Sequence, residues 1–282
     1  MMDTYLQRIA SKNKLQVRQI TALSGGSINQ VFLLKCNTNS FVIKLNNTDR
    51  FSNMFEKEAK GLSLLKSTGS FKIPKVLSYG EEENNSFLIM EHIVTGVPAS
   101  GFWEGFAQNL ATLHKISNPL FGLDHKNYIG SLPQFNTKET SASEFYINQR
   151  LEPQIKMAAD GGFHFSELDQ FYKNISNEIP KEKASLIHGD LWSGNYLVSK
   201  KNEPALIDPA VAYAPREMDL GMMHLFGGFP PDVYSIYHGS FPLIENWEAR
   251  ISIWQLYYLL VHLNLFGSGY FSQVNTIFKQ YS

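Results

Sequence analysis

The stretch Leu186–Val198, LIHGDLWSGNYLV, decides the fold. Two apolar runs, each predicted to form a strand, enclose a short loop that contains His, Asp, Trp and Asn and is interrupted twice by Gly. A loop that only closed a hairpin would not need this set of polar side chains. The pattern therefore predicts that the loop faces a ligand.

Asp190 and Asn195 in this loop have the spacing of the Asp and Asn in the kinase pattern H-R-D-L-x-x-x-N. Phosphoryl transfer needs a carboxylate that orients and deprotonates the attacking hydroxyl, and a nearby neutral oxygen ligand for Mg²⁺. The spacing therefore predicts Asp190 as the catalytic base and Asn195 as a metal ligand.

A second carboxylate follows the loop, after the apolar run Ala205–Ile207. This residue, Asp208, stands where a protein kinase carries the Asp of D-F-G, and a carboxylate at a strand end can hold a Mg²⁺ ion that bridges nucleotide phosphates. We expect Asp208 to be the other metal ligand. The sequence here reads IDPA, and the missing Phe-Gly argues against the activation switch of a protein kinase.

The region before residue 93 predicts three strands, one helix and two further strands. The segment FVIK places Lys44 on the third strand and matches V-A-I-K at three of its four positions, so Lys44 is predicted to contact the α- and β-phosphates of ATP. Glu58 is the expected partner of Lys44, because it directly precedes Ala59 of the apolar helix stripe. Glu56 is the alternative.

A Gly-rich segment, SGGSINQV, precedes these residues and holds two of the three glycines of a kinase phosphate loop. The backbone N–H groups of Gly25, Gly26 and Ser27 are predicted to bind phosphate there. Taken alone, such a segment is usually a hairpin turn, and a strand lysine is usually solvated. The order of Gly segment, Lys, Glu and the two catalytic-loop residues is much harder to obtain by accident.

The pattern beyond residue 93 changes to helices, including SASEFYINQRLEPQIKMAA and WEARISIWQLYYLLVHLNLF. The predicted fold class is therefore α+β, a protein-kinase-like fold of two lobes. Residues 1–92 would form the nucleotide-binding N-lobe, a small antiparallel sheet with one helix, and 93–282 a mainly helical C-lobe with the catalytic loop and substrate site. The hinge is expected at Glu91, His92 and Ile93.

Three further polar residues are predicted to support the catalytic loop or the core rather than to react. His188 is expected to hold the loop through a hydrogen bond, and Asp219 to bind backbone amides of the loop. His114 is expected to pack at a helix end.

Composition excludes several classes of partner. The 282 residues carry a formal net charge of −1, so the basic field that drives binding to nucleic acid or anionic membranes is absent. Cys36 is the only cysteine, which predicts no intrachain disulfide, no zinc cluster and a reducing, cytoplasmic location. The uncharged run Ile251–Phe278 is interrupted by polar residues and GSG, and is predicted to contain a buried helix rather than a membrane span.

Several longer motifs resemble the fructosamine kinase (ketosamine-3-kinase) family, which is similar in fold to aminoglycoside phosphotransferases and choline kinases. They are HGDLWSGN, DPAVAYAPREMDLGM, LFGGFP, NYIGSLPQFN, FYINQRLEPQ and YYLLVHLNLFGSGY. The resemblance implies phosphorylation by ATP of the hydroxyl on the third carbon of a ketosamine, a sugar joined to an amine by glycation. The product loses its sugar, which is deglycation.

The same resemblance implies that Asp190 accepts the proton, that Asn195 and Asp208 hold Mg²⁺, and that the backbone at Glu91–Ile93 receives adenine. Trp192 is the expected substrate-side residue, with one ring face available to a sugar, and a packing role is the alternative. The sequence does not distinguish a small ketosamine from one bound to a protein, or a fructosamine from a ribulosamine. It also leaves the oligomeric state open.

Two other functions remain as alternatives. An aminoglycoside or choline kinase would favour several acidic groups for a cationic substrate, whereas the chain from Leu225 to its end has three acids, Asp232, Glu245 and Glu248, and many aromatic residues. A catalytically inactive nucleotide-binding protein is the other alternative. It is disfavoured because every predicted catalytic residue is present.

Overall fold

The computed structural model describes residues 2–23 and 28–282 of the chain. The predicted phosphate-binding residues Gly25, Gly26 and Ser27 lie outside the described residues. In the described residues, the N-terminal part contains the elements α1 (Met2–Lys12), β1 (Val17–Leu23), β2 (Gln30–Cys36), β3 (Ser40–Asn47), α2 (Met54–Ser67), β4 (Val76–Glu82) and β5 (Asn85–Glu91). The predicted order of three strands, a helix and two strands is confirmed.

The five strands form one antiparallel sheet in the order β1-β2-β3-β5-β4. Alternation along β3 gives the sheet two different faces. Ile43 points with Leu6 and Ile9 of α1 into one hydrophobic cluster. Lys44 is the next residue along and therefore points to the opposite face, on which α2 packs.

The C-terminal part is mainly helical, as predicted. Its helices and strands are α3 (Phe102–His114), β6 (Ser117–Asn118), β7 (Asn127–Ile129), β8 (Leu132–Gln134), α4 (Ala142–Tyr146), α5 (Glu152–Asp160), α6 (Leu168–Glu178), β9 (Ala184–Ile187), β10 (Tyr196–Val198), β11 (Pro204–Leu206), β12 (Ala212–Ala214), α7 (Glu217–Phe226), α8 (Asp232–Ser240), α9 (Trp247–Phe266) and α10 (Phe271–Tyr281). A π-helical turn, Ile147–Leu151, joins α4 to α5, and a 3₁₀ turn, Ser268–Tyr270, joins α9 to α10.

The long helix α9 is buried on most of its circumference, which explains its apolar sequence. It packs with α5, α7 and α10 in the larger hydrophobic cluster. None of the helices in residues 2–23 and 28–282 is long and apolar enough to cross a membrane.

A third hydrophobic cluster joins the two parts of the chain. Leu88 and Met90 of β5 pack with Phe106 of α3 and Leu206 of β11, and the same cluster contains the apolar stripe of α2. The sheet thus packs against the first helix of the C-terminal part. The division of the chain into lobes at residue 92 stays a prediction.

Candidate active site

Lys44 on β3 is held between two carboxylates. Its Nζ donates to Glu58 Oε1 of α2 and to Asp208 Oδ1, both at 2.6 Å. Burial alone would lower the pKa of this amine, but the adjacent carboxylates of Asp208 and Glu58 raise it above its ordinary value. Lys44 is therefore a permanently charged group in the wall of the cleft.

Glu56, the alternative partner of Lys44, points away from the lysine. Glu56 pairs with Lys60 one turn along α2, at 2.7 Å, on the exposed side of the helix. Glu58 instead faces the sheet, where its Oε1 accepts a hydrogen bond from Lys44 Nζ. The sequence-based choice of Glu58 over Glu56 as the contact of Lys44 agrees with this geometry.

Asp190 and Asn195 of the predicted catalytic loop lie side by side between β9 and β10. Asn195 Nδ2 donates to the backbone carbonyl of Asp190 at 2.8 Å and to its Oδ2 at 3.1 Å. Burial and the neighbouring carboxylate of Asp208 raise the pKa of Asp190 to about 7, and the hydrogen bond from Asn195 opposes this rise. The loop therefore presents a carboxylate of unusually high basicity.

Asp208, the second predicted metal ligand, has a backbone conformation that few residues adopt. Its φ is +56°, in the left-handed region, which Asp tolerates better than most residues. Such conformations recur at functional sites. Here the conformation turns the carboxylate of Asp208 toward Lys44 and the cleft.

The oxygen atoms present fit a hard divalent cation such as Mg²⁺. Since the Asn195 amide nitrogen donates to Asp190, its Oδ1 is directed away from that residue, and it accepts no hydrogen bond within the described part of the chain. Asp208 uses only Oδ1 in its contact with Lys44. A neutral amide oxygen and a carboxylate oxygen are thus available on one cleft, which is the donor set that Mg²⁺ prefers.

A cleft of about 1030 Å³ joins these residues to the predicted hinge. Its lining includes Lys44, Glu58, Glu91, His92, Ile93, Asp190, Trp192, Asn195 and Asp208, so all the predicted site residues that the structure describes share one cavity. The N–H of Glu91 donates to Lys75 O at 2.8 Å and that of His92 to Ser40 O at 3.2 Å. The Ile93 N–H makes no hydrogen bond to any described residue.

Comparisons with known proteins show the family of the chain. The family described as Fructosamine kinase matches residues 1–282. The chain belongs to the fructosamine kinase family. It is therefore a kinase, a phosphotransferase of the ketoamine kinase type.

Individual relatives cover nearly the whole chain. A probable ketoamine kinase of Enterococcus faecium is 35% identical over 282 residues, covering 98% of this chain and 99% of its own. A chloroplastic protein-ribulosamine 3-kinase of Arabidopsis thaliana is 35% identical over 274 residues, 94% of this chain and 83% of its own.

Solved structures show the same fold. A crystal structure assigned as a fructosamine-3-kinase from Haemophilus somnus is 27% identical, with a TM-score of 0.88 over 98% of this chain and 95% of its own. Aminoglycoside phosphotransferase APH(4)-Ia has a TM-score of 0.63 over 100% of both chains at 16% identity, which shows likeness of fold alone. The predicted α+β, protein-kinase-like fold is thus confirmed.

Buried side chains hold the catalytic loop of this ketoamine kinase. Asp219 of α7 accepts hydrogen bonds from the backbone N–H groups of His188 and Gly189, both at 2.8 Å, and contacts His114 Nε2 at 3.1 Å. His188 Nδ1 accepts from the Asp190 N–H, and its Nε2 donates to Ile207 O. The supporting contacts predicted for Asp219 and His188 are present.

The kinase cleft continues from Trp192 along a row of aromatic side chains that sequence reasoning had not placed in the site. Phe226 lies 6.5 Å from Trp192 between ring centroids, His262 lies 4.9 Å from Phe226, and Phe266 lies 5.5 Å from His262. All four line the cleft, and Trp192, Phe226 and Phe266 are exposed. Phe226, His262 and Phe266 belong to the motifs LFGGFP and YYLLVHLNLFGSGY. The motifs contributed to the family resemblance, but no role in the site was predicted for their aromatic residues.

Proposed function

We propose that this kinase transfers the γ-phosphoryl group of ATP to the hydroxyl on the third carbon of a ketosamine, such as a fructosamine or a ribulosamine, and so initiates deglycation. The observation that carries the proposal is that Asp190 contacts Asn195 and lines one cleft with Asp208 and the ring of Trp192. A base, a phosphate-binding region and an aromatic surface thereby meet in one cleft. The ketosamine can be small or attached to a protein.

In the proposed reaction Asp190 accepts the proton of the sugar hydroxyl while the hydroxyl oxygen attacks the γ-phosphorus. The bond from this phosphorus to the β,γ-bridging oxygen breaks, and ADP leaves with the electron pair. The raised pKa of Asp190 suits this role, because a general base works best when its pKa lies near the working pH.

Lys44 would contact the α- and β-phosphates and stabilise the charge that develops on the leaving group. Glu58 holds the ammonium of Lys44 in place. Asn195 and Asp208 would hold Mg²⁺, which when bound supplies further neutralisation of the phosphate oxygens. Gly25, Gly26 and Ser27 keep their proposed contact with phosphate through backbone N–H groups.

Adenine would bind at the hinge of Glu91, His92 and Ile93. Since the N–H groups of Glu91 and His92 already donate to backbone carbonyls, the N–H of Ile93 is the proposed donor to the adenine ring. The proposed N-lobe, residues 1–92, would close over residues 93–282 to align the phosphoryl group with the acceptor. Trp192 is the proposed platform for the sugar face.

The test is ADP release from Mg-ATP with fructosyl-lysine, ribulosyl-lysine, kanamycin, choline and free hexoses, with Asp190→Asn as the blank. We expect turnover of one or both ketosamines that is lowered by orders of magnitude in the variant, while the affinity for Mg-ATP is nearly unchanged. Faster turnover of kanamycin or choline would assign the protein to the alternative class. Binding of Mg-ATP without transfer to any acceptor would favour a non-catalytic protein.

A further inference from the structure

The motif NYIGSLPQFN forms the β7–β8 hairpin, which touches α2 at the edge of the cleft. Tyr128 Oη donates to the carbonyl of Ser52, just before α2, at 3.1 Å. Lys57 of α2 places its Nζ 4.7 Å from the centroid of the Tyr128 ring, within cation–π distance. The hairpin is thus joined to the helix that carries Glu58, the residue after Lys57.

The base of the hairpin holds the segment that follows Asp208. Gln134 Nε2 donates to Ala210 O and to Asn127 Oδ1, both at 2.9 Å, and Gln134 Oε1 accepts from Tyr257 Oη at 2.8 Å. Asn127 Nδ2 donates to Val211 O at 2.9 Å. Every polar atom of the buried Gln134 side chain is used, so its amide has a single orientation.

The peptide held by Gln134 also touches the catalytic loop. The Ala210 N–H donates to His188 O at 2.9 Å, and the Ala210 carbonyl lies against the α-carbon of Gly189. A shift of the Ala210 peptide would therefore move both Asp208, two residues before it, and the loop that carries Asp190.

A direct contact between α2 and this segment completes the arrangement. A β-carbon built on Gly61 of α2 would lie 3.3 Å from Val211 Cγ2 and 3.4 Å from Pro209 Cγ, so the helix and the segment approach closely. The hairpin contacts the same helix one turn earlier, at Lys57. The direct contact at Gly61 and the hairpin contact at Lys57 therefore both support the position of α2 relative to residues 209–211.

We propose that the β7–β8 hairpin is a positioning element of the kinase, in which Tyr128 and Gln134 together set the Lys44–Glu58 pair relative to Asp208. Tyr128 anchors the hairpin to α2, and Gln134 anchors it to the segment after Asp208. The proposal rests on the proposed roles of Lys44 and Asp208 toward Mg-ATP. Neither Tyr128 nor Gln134 needs to react, because each acts through the residues that it holds.

A double-mutant cycle tests the coupling, with Mg-ATP affinity measured by calorimetric titration without any acceptor. We expect Tyr128→Leu and Gln134→Leu each to weaken Mg-ATP binding about tenfold, in the range seen when supports of metal ligands are removed. The double variant should bind Mg-ATP no more weakly than the single variant of lower affinity, because either substitution alone already breaks the link through the hairpin. Losses that multiply, or lower thermal stability with unchanged Mg-ATP affinity, would overturn the proposal.

A pair of lysine variants keeps the test valid if Gln134→Leu fails to fold. Lys57→Met removes the cation from the Tyr128 ring, whereas Lys126→Met removes an equal charge that lies 4.9 Å from the Phe135 ring. Only Lys57→Met should weaken Mg-ATP binding. Because Lys57 also lines the cleft, Lys57→Met is repeated in Tyr128→Leu, where the ring is already gone and no further loss is expected. Equal effects of the two lysine variants, or an undiminished loss in the Tyr128→Leu background, would contradict the role of the hairpin. A protein that shows these effects on Mg-ATP but phosphorylates no ketosamine would refute the proposed substrate and leave the positioning role intact.

Discussion

Lys44 and Asp208 are 164 positions apart in the chain, yet the Nζ of one lies 2.6 Å from the Oδ1 of the other. This ion pair joins the central strand of the N-terminal sheet to the segment after β11, across the cleft. Because the Lys44 ammonium is buried, it depends on its two carboxylates for compensation of its charge. The site is thus held together by charges that the proposed reaction also uses.

Replacement of Asp208 should affect the metal more than the fold. Asn at this position keeps an oxygen atom and tolerates a positive φ, but it removes the negative charge that attracts Mg²⁺ and Lys44. We expect Asp208→Asn to weaken Mg-dependent binding of ATP by at least about tenfold. Titration of ATP over a range of Mg²⁺ concentrations measures this, with the exposed Asp124→Asn as control. Unchanged Mg²⁺ dependence would remove Asp208 from the proposed metal site.

The two glutamates at the start of α2 provide a matched comparison. Glu58→Gln leaves the buried ammonium of Lys44 with one carboxylate, and should lower the free energy of unfolding by about 1–3 kcal/mol and kcat/KM for ATP by about tenfold or more. Glu56→Gln removes only an exposed pair with Lys60 and should change both quantities little. Denaturant unfolding and steady-state kinetics check both, and equal losses in the two variants would contradict the assignment of Glu58.

Trp192 and Gly194 test the proposed sugar platform. A β-carbon at Gly194 would lie 2.3 Å from Trp192 Cη2, so Gly194→Ala must displace the indole ring without changing the tryptophan itself. We expect both Gly194→Ala and Trp192→Leu to raise the KM for the ketosamine about 3- to 10-fold and to leave the KM for ATP unchanged. If only thermal stability falls, Trp192 has the packing role that was its alternative.

The close approach of Gly189 to Ala210 should make position 189 intolerant of any side chain. Gly189 has a φ of +82°, and its β-carbon would lie 2.1 Å from Ala210 O. We expect Gly189→Ala to lower the free energy of unfolding by about 3 kcal/mol or more. Gly162→Ala is the control, because it has a φ of +89° with no atom within 4 Å, and should cost only about 1 kcal/mol. Equal costs in thermal or chemical unfolding would show that the contact with Ala210 yields easily.

The fold and the polar centre of the site could be predicted because each signal was local. Lys44 follows from the match of FVIK to V-A-I-K, Glu58 from its neighbour in the apolar stripe of α2, and Asp190 with Asn195 from their spacing. Gln134 could not be predicted in the same way. Its partners, Ala210 O and Tyr257 Oη, lie 76 and 123 positions away, and no periodicity in a sequence reports such contacts.

The continuous helix expected over SASEFYINQRLEPQIKMAA shows a different limit of prediction. The structure divides it into α4, the π-helical turn Ile147–Leu151 and α5, which begins at Glu152 with Pro153 in its first turn. Proline has no N–H to donate to the preceding turn, so the regular hydrogen-bond ladder changes there. Arg150 in this turn is buried and donates to Asn136 Oδ1 and Phe135 O, a tertiary contact that propensity does not encode.

The buried His188 should make the stability of the protein depend on pH. Burial lowers the pKa of His188 below its ordinary value of 6.5, while Asp219 opposes the shift. Both ring nitrogens have fixed roles in the neutral form, since Nδ1 accepts from the Asp190 N–H and Nε2 donates to Ile207 O. A proton on Nδ1 would oppose the Asp190 N–H and break this support of the catalytic loop.

The sign follows from the direction of the shift. A histidine whose pKa is lower in the folded state contributes stability above pH 6.5, and this contribution is lost as the pH falls below 6.5 through the folded-state value. We expect the free energy of unfolding, measured with denaturant at several pH values, to fall below pH 6.5 more steeply in the natural protein than in His188→Gln. The variant should be less stable near pH 8, since glutamine reproduces the two hydrogen bonds imperfectly. Parallel pH profiles for the two proteins would mean that other buried groups cause the acid sensitivity.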